Sequence, residues 1–110
     1  MPSPETDMIR GTLDMLILKV LSLEPMHGWG ISERIQQISR EALQVGQGSL
    51  YSSLHRMTRE GWIRSQWQTT ENNRRARYYE LTRAGRERMG VEHEQWTRLA
   101  GAVDRIMGLT

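Results

Sequence analysis

Residues 47–86 read QGSLYSSLHRMTREGWIRSQWQTTENNRRARYYELTRAGR, and this stretch decides the fold. Ser49 can cap a helix that runs to Glu60, with Leu50, Leu54 and Met57 on its inner face and Gly61 as its stop. That stripe leaves Ser49, Ser52, Ser53, His55, Arg56 and Arg59 on the outside. After Gly61 the helical period gives way to alternation: residues 62–67 and 76–81 are β-prone runs rich in aromatics. Between them, residues 68–75 have the Asn-rich chemistry of a hairpin tip and end in the paired Arg74 and Arg75. Thr82 then caps a long final helix.

Upstream, residues 1–10 are polar, carry Pro2 and Pro4, and read as a flexible arm. Thr12 is an N-cap candidate with Asp14 in the first turn, and Leu13, Leu16, Ile17, Val20 and Leu21 recur at helical spacing. Met15 and Leu18 widen this surface, so the helix is expected to be buried on more than one side. Glu24-Pro25 ends it, because a residue before proline is pushed out of the α region. A second helix is expected from His27-Gly28 to about Ser39, with Ile31, Ile35 and Ile38 as its stripe. Leu43 and Val45 alternate in a way that permits a very short strand.

Downstream, Met89, Trp96 and Val103 recur at sevenfold spacing, and Leu99 and Ile106 form a second row. Glu92 interrupts that row, and Gly90 and Gly101 each weaken the helix by ~1 kcal/mol relative to Ala. A helix with these defects needs a partner. The expected architecture is mainly α with a small β-hairpin. It comprises an arm (1–10), a winged helix-turn-helix (11–82) and a C-terminal dimerisation helix (83–110), whose interface residues are Met89, Trp96, Leu99, Val103 and Ile106.

Composition narrows the function. A chain of 110 residues allows one domain. With no cysteine there are no disulfides or thiolate sites, which fits a reducing compartment. No apolar run reaches the ~20 residues of a membrane span, and MPSPETDM lacks the layout of a signal peptide, so a cytoplasmic protein with no membrane partner is expected. The formal charge is only +2, but it is unevenly spread. Residues 50–89 carry nine bases and four acids (+5), between an N-terminal part at −2 and a C-terminal part at −1. Of 15 bases 14 are Arg, which offers planar, multi-donor contacts to phosphate and guanine. That is the footprint of a face that binds a polyanion.

Geometry turns that footprint toward duplex DNA. A recognition helix needs one apolar face for the core and one small or polar face that fits a ~12 Å major groove. Ser49, Ser52 and Ser53 allow close approach, with His55, Arg56 and Arg59 behind them. Asn73, Arg74, Arg75 and Arg77, on or beside the hairpin, can reach backbone phosphate or the minor groove. Tyr51 stays open between packing alone and packing with its hydroxyl on phosphate, and His27 between filling space and meeting the DNA backbone. Three scattered His without Cys make no metal site, and neither a catalytic triad nor a phosphate loop is present, so no cofactor and no enzyme is expected.

The sequence resembles the PadR family of bacterial transcriptional regulators, in particular its short acidobacterial form, in GTLDMLIL (11–18), PMHGWGI (25–31), QGSLYSSLHRM (47–57), ENNRRARYYELTRAGR (71–86) and EQWTRLAGAVDRIM (94–107). The resemblance implies a homodimeric repressor with the third helix in the major groove of a pseudo-palindromic operator and the hairpin as wing. It departs where many relatives have Pro in place of Ser52 and Tyr in place of Trp29, so operator preference does not carry over. Some relatives bind flat aromatic molecules between their dimerisation helices. Trp96 therefore has two readings, a dimer-core aromatic and an effector-stacking one. The rival function is a winged-helix module whose basic face meets an acidic protein.

Overall fold

The computed structural model describes residues 4–109, with side chains from Gly11 onward. The elements are α1 (Pro4–Leu23), β1 (Met26–His27), α2 (Gly28–Ile38), α3 (Gln47–Arg59), β2 (Ile63–Thr69), β3 (Arg75–Leu81) and α4 (Arg83–Met107). The strands form one antiparallel sheet in the order β1-β3-β2. This is a winged helix-turn-helix with a long C-terminal helix.

α1 is the central element. Leu13, Ile17, Leu18, Val20 and Leu21 are buried in it, on more than one side as its sequence pattern predicts. Against them pack Ile31 and Ile35 of α2, Leu50, Leu54 and Met57 of α3, and Ile63 and Tyr79 of the sheet. Fully burying each such side chain contributes about 1.5–3 kcal/mol. Ile38, expected on the α2 stripe, is instead exposed at the end of that helix.

Four expectations are corrected. Residues 4–10 are the first turns of α1, so the arm expected over 1–10 is helical from Pro4 on, and Thr12 lies inside the helix instead of capping it. Residues 1–3 lie outside the described residues. Proline at a first helical position, followed by the acidic Glu5 and Asp7, is a favourable helix start. Leu43 and Val45 form no strand; the third strand is β1, where Met26 pairs with Tyr79 and His27 with Tyr78. The loop they occupy turns through Arg40 and Glu41, both at positive φ. Finally, α3 starts three residues early, with Gly46 as an N-cap that has no side-chain bond, so Ser49 is not the cap.

Helix ends elsewhere follow their sequence signals. Gly61 takes φ +79°, and Trp62 N–H donates to the Met57 carbonyl at 3.0 Å, which closes α3 in a Schellman arrangement. Thr82 Oγ1 accepts from Gly85 N–H at 3.0 Å and donates to the Gly61 carbonyl at 2.6 Å, so one hydroxyl joins the end of α3 to the start of α4. Gly85 makes this junction possible: a Cβ there would lie 1.9 Å from the Trp62 carbonyl oxygen. Gly101 meets nothing within 4 Å of its virtual Cβ. Gly85→Ala should therefore destabilise the protein by at least ~1–3 kcal/mol despite the better helix propensity of Ala. Gly101→Ala should stabilise it by ~0.5–1 kcal/mol. Urea unfolding of the two variants checks both signs; equal effects would contradict the close approach at Gly85.

Candidate nucleic-acid interface

α3 has two faces of different chemistry. Leu50, Ser53, Leu54 and Met57 follow the i, i+3, i+4, i+7 spacing and are all buried. Ser49, Ser52, His55 and Arg59 lie exposed on the remaining surface. Tyr51 is half-exposed, and its ring lies against the backbone of Gly28 at the start of α2, where a Cβ would sit 2.7 Å from the Tyr51 hydroxyl oxygen. Ser53 is only 3% exposed, a correction to its expected outward position.

Arg56 is the second correction on this helix. Its Nη1 and Nη2 donate to the two carboxylate oxygens of Asp14, each at 2.8 Å. The Asp14 side chain is 5% exposed and that of Arg56 27%. The bidentate hydrogen bond to Asp14 raises the guanidinium pKa above its ordinary value, against the lowering effect of partial burial, with smaller help from the charges of Asp14, Glu92 and Glu60. Arg56 thus clamps α3 to α1 and commits two of its five N–H donors inside the chain.

The hairpin keeps full register from Ile63↔Leu81 to Thr69↔Arg75. Its tip closes with Asn73 N–H on the Thr70 carbonyl at 2.9 Å and Thr70 N–H on the Arg74 carbonyl at 2.7 Å. Asn73 occupies the left-handed region at φ 60°, which Asn tolerates, so it shapes the turn. Arg74, Arg75 and Arg77 are exposed on and beside this tip. The guanidiniums of Arg75 and Arg77 lie 5.2 and 5.3 Å from the ring centre of Trp67. At the base of the wing, His27 Nδ1 accepts from Gly30 N–H at 2.9 Å and caps α2, while its ring meets Tyr78 edge-on. His27 therefore has a structural task that its sequence context did not disclose.

On the other side of α1, the first half of α4 packs against its own chain. Met89, expected on the intersubunit seam, is partly buried against the chain's own core. Glu92, expected as a defect in that seam, has a side chain only 11% exposed and pairs with Arg88, whose guanidinium covers the Trp62 ring at 4.7 Å. Trp96, Leu99, Val103 and Ile106 are exposed, as are Met107 and Leu109 beyond them. Trp96 also walls a largely apolar cavity of about 340 Å³ with Leu13 and Leu16 of α1, Leu43 and Val45 of the loop, and Gly46 and Ser49 at the start of α3. Among the described residues no group of His, Cys, Asp or Glu could hold a metal ion, and no helix is long and apolar enough to cross a membrane.

Residues 17–91 match the transcriptional regulator PadR-like family. The chain belongs to that family. A solved transcriptional regulator from Clostridium thermocellum is 28% identical, with a TM-score of 0.81 over 90% of this chain and 96% of the other. A PadR-like regulator from Bacillus cereus, 24% identical, shares the fold with a TM-score of 0.77 over 94% of this chain and 99% of its own. A 37.1 kDa protein in transposon TN4556 of Streptomyces fradiae is 38% identical over 89 residues, 81% of this chain; the match spans about a quarter (24%) of that protein.

PadR-like regulators are DNA-binding proteins, and this member carries an exposed polar helix face and a basic wing in the order that such binding requires. The face differs from its sequence-based outline by the loss of Ser53 to the interior and of Arg56 to its pair with Asp14. Both losses were legible in principle: Ser53 keeps the spacing of the apolar stripe, and a charged residue inside an apolar helix, such as Asp14, calls for a partner. Arg56→Met should cost about 2–3 kcal/mol of stability, less than for a fully buried pair because Arg56 is partly open to water. Adding Asp14→Leu should return at least half of that loss, because it removes the stranded carboxylate. Denaturant midpoints of the single and double variants measure this; a neutral Arg56→Met would contradict the clamp.

Proposed function

We propose that this PadR-like regulator is a repressor that binds a pseudo-palindromic operator as a homodimer. The observation that carries the reading is a division of labour in the side chains. Ser49, Ser52, His55 and Arg59 of α3 and Arg74, Arg75 and Arg77 of the wing face solvent. Among the described residues, no carboxylate takes up any of these four arginines. In this reading residues 11–82 bind the duplex, with α3 in the major groove and the wing, including Asn73, on the backbone. Tyr51, lying against the start of α2, is close enough to solvent for its hydroxyl to meet a phosphate as well.

Dimerisation falls to the helix from Arg83 on, through Trp96, Leu99, Val103 and Ile106. Four large apolar side chains in two helical rows are better covered by a second copy than by water. A two-fold axis would set the two α3 helices about 34 Å apart, one turn of DNA. The cavity beside Trp96 supports release by a flat aromatic effector, since it touches both α4 and the start of α3. Such a protein works in the cytoplasm, on the nucleoid when bound to its operator.

A gel shift on the protein's own promoter, with competitor DNA, tests this reading against a basic face that meets an acidic protein. Arg74→Ala with Arg75→Ala, which removes four arginines from the dimer, should weaken binding to every duplex alike and flatten the salt dependence by roughly 3.6 in log–log slope. Unchanged binding would remove the wing from the interface. Leu99→Asp with Val103→Asp should yield a monomer by light scattering, and a dimer of unchanged mass would exclude the α4 seam. In a variant keeping Trp96 as its only tryptophan, an effector should quench the fluorescence and lower operator affinity together.

A further inference from the structure

We propose that Trp67 is a positioning residue of the wing, whose indole holds Arg75 and Arg77 ready for neighbouring phosphates of a DNA strand. The inference deepens the DNA-binding reading and rests on it. Trp67 is 55% exposed on a hairpin whose same face, nearer the body, buries Ile63 and Tyr79. A large apolar ring left half in water at this point needs a reason, and the register supplies one. Trp67 is directly opposite Arg77, and Arg75 lies two residues further along the same face of β3, a diagonal neighbour within reach of long side chains. Both guanidiniums lie within the ~6 Å range of a cation–π contact with the ring.

The consequence lies in which atoms each contact uses. A carboxylate takes up the N–H donors of an arginine, as Glu80 does for Arg64 on the opposite face of this hairpin. An aromatic face instead takes the π surface of the guanidinium and leaves its in-plane donors free for a phosphate. The indole therefore orders two cations without neutralising them. Among the described residues no carboxylate pairs with Arg75 or Arg77, so both arrive at the DNA charged and already restrained. Two long side chains that do not have to be immobilised on binding are worth about tenfold in affinity.

Affinity for an operator duplex, for wild type, Trp67→Ala, Trp67→Phe, Arg75→Ala/Arg77→Ala and the triple variant, tests the proposal. ¹⁵N relaxation at the Arg75 and Arg77 Nε–H groups of the free protein adds a readout independent of DNA. Trp67→Ala should bind all duplexes about tenfold more weakly and free both Nε–H groups, while Trp67→Phe recovers most of the affinity and order. In the Arg75→Ala/Arg77→Ala background, Trp67→Ala should do nothing further. An equal loss in that background would mean that Trp67 touches DNA itself, and overturns the proposal. So does wild-type affinity in Trp67→Ala, or Nε–H order unchanged by it. Should the hairpin amide signals collapse in Trp67→Ala, Trp67→Phe decides: with the strands intact, it must keep both the order and the affinity. A wild-type protein that binds no duplex overturns the DNA reading itself, whereas wild-type binding matched by Trp67→Ala overturns only the positioning role.

Discussion

The clamp between Asp14 and Arg56 is the constraint on which the orientation of the exposed face of α3 depends. A carboxylate buried in the middle of α1 carries a desolvation cost that only a well-placed cation offsets. Arg56 supplies two hydrogen bonds in the fork geometry that a carboxylate accepts best. Hydrophobic contacts between α1 and α3 would tolerate small rotations of α3, because apolar packing has little directionality. The bidentate pair does not. It fixes α3 about its own axis, and so fixes which residues face outward: Ser49, Ser52, His55 and Arg59.

The basic middle third then divides into arginines that hold the fold and arginines left for a partner. Arg56 belongs to Asp14, Arg64 to Glu80, and Arg88 to Glu92 and the face of Trp62. The wing arginines form no such pair among the described residues, and two of them rest on Trp67. Net charge along the chain therefore overcounts the cations left available to a partner. An exposed pair such as Arg64–Glu80 adds little stability but still lowers the local field.

Much of this order was legible in the sequence where a local rule has a single solution. Gly61 stops α3 because only a residue at ease with positive φ closes that turn, and Thr82 caps α4 because its hydroxyl meets Gly85 N–H. The hairpin strands announce themselves by alternation and by the Asn-rich tip. What the sequence concealed depends on contacts made at long range. β1 has two residues, too few to show any period, and exists because Tyr78 and Tyr79 offer it an edge. Arg56 looks like a surface cation until Asp14, 42 positions away, is brought beside it. Met89 keeps the sevenfold spacing of the seam, and only the fold shows that it also packs against the chain's own core.

The two ends of α3 are held very differently, and this asymmetry bears on how an occupant of the Trp96 cavity would act. The C-terminal half carries the Asp14 clamp, the Schellman closure at Gly61 and the Thr82 hydroxyl on the Gly61 carbonyl. Displacing it means breaking a bidentate ion pair in a largely buried setting. The N-terminal end has Gly46 as its cap with no side-chain hydrogen bond, and Ser49 lies exposed beside the cavity that Trp96 lines. A molecule wedged between Trp96 and Gly46 would therefore push on the end that lacks a side-chain cap, with the clamped end as pivot. A pivot near Arg56 swings Ser49 and Ser52 further than Arg59, so the residues set to enter a groove first are the ones such a wedge displaces most. Control of that kind needs no unfolding of α3, only a shift of its first turn, in which the buried Leu50 must move with the exposed Ser49.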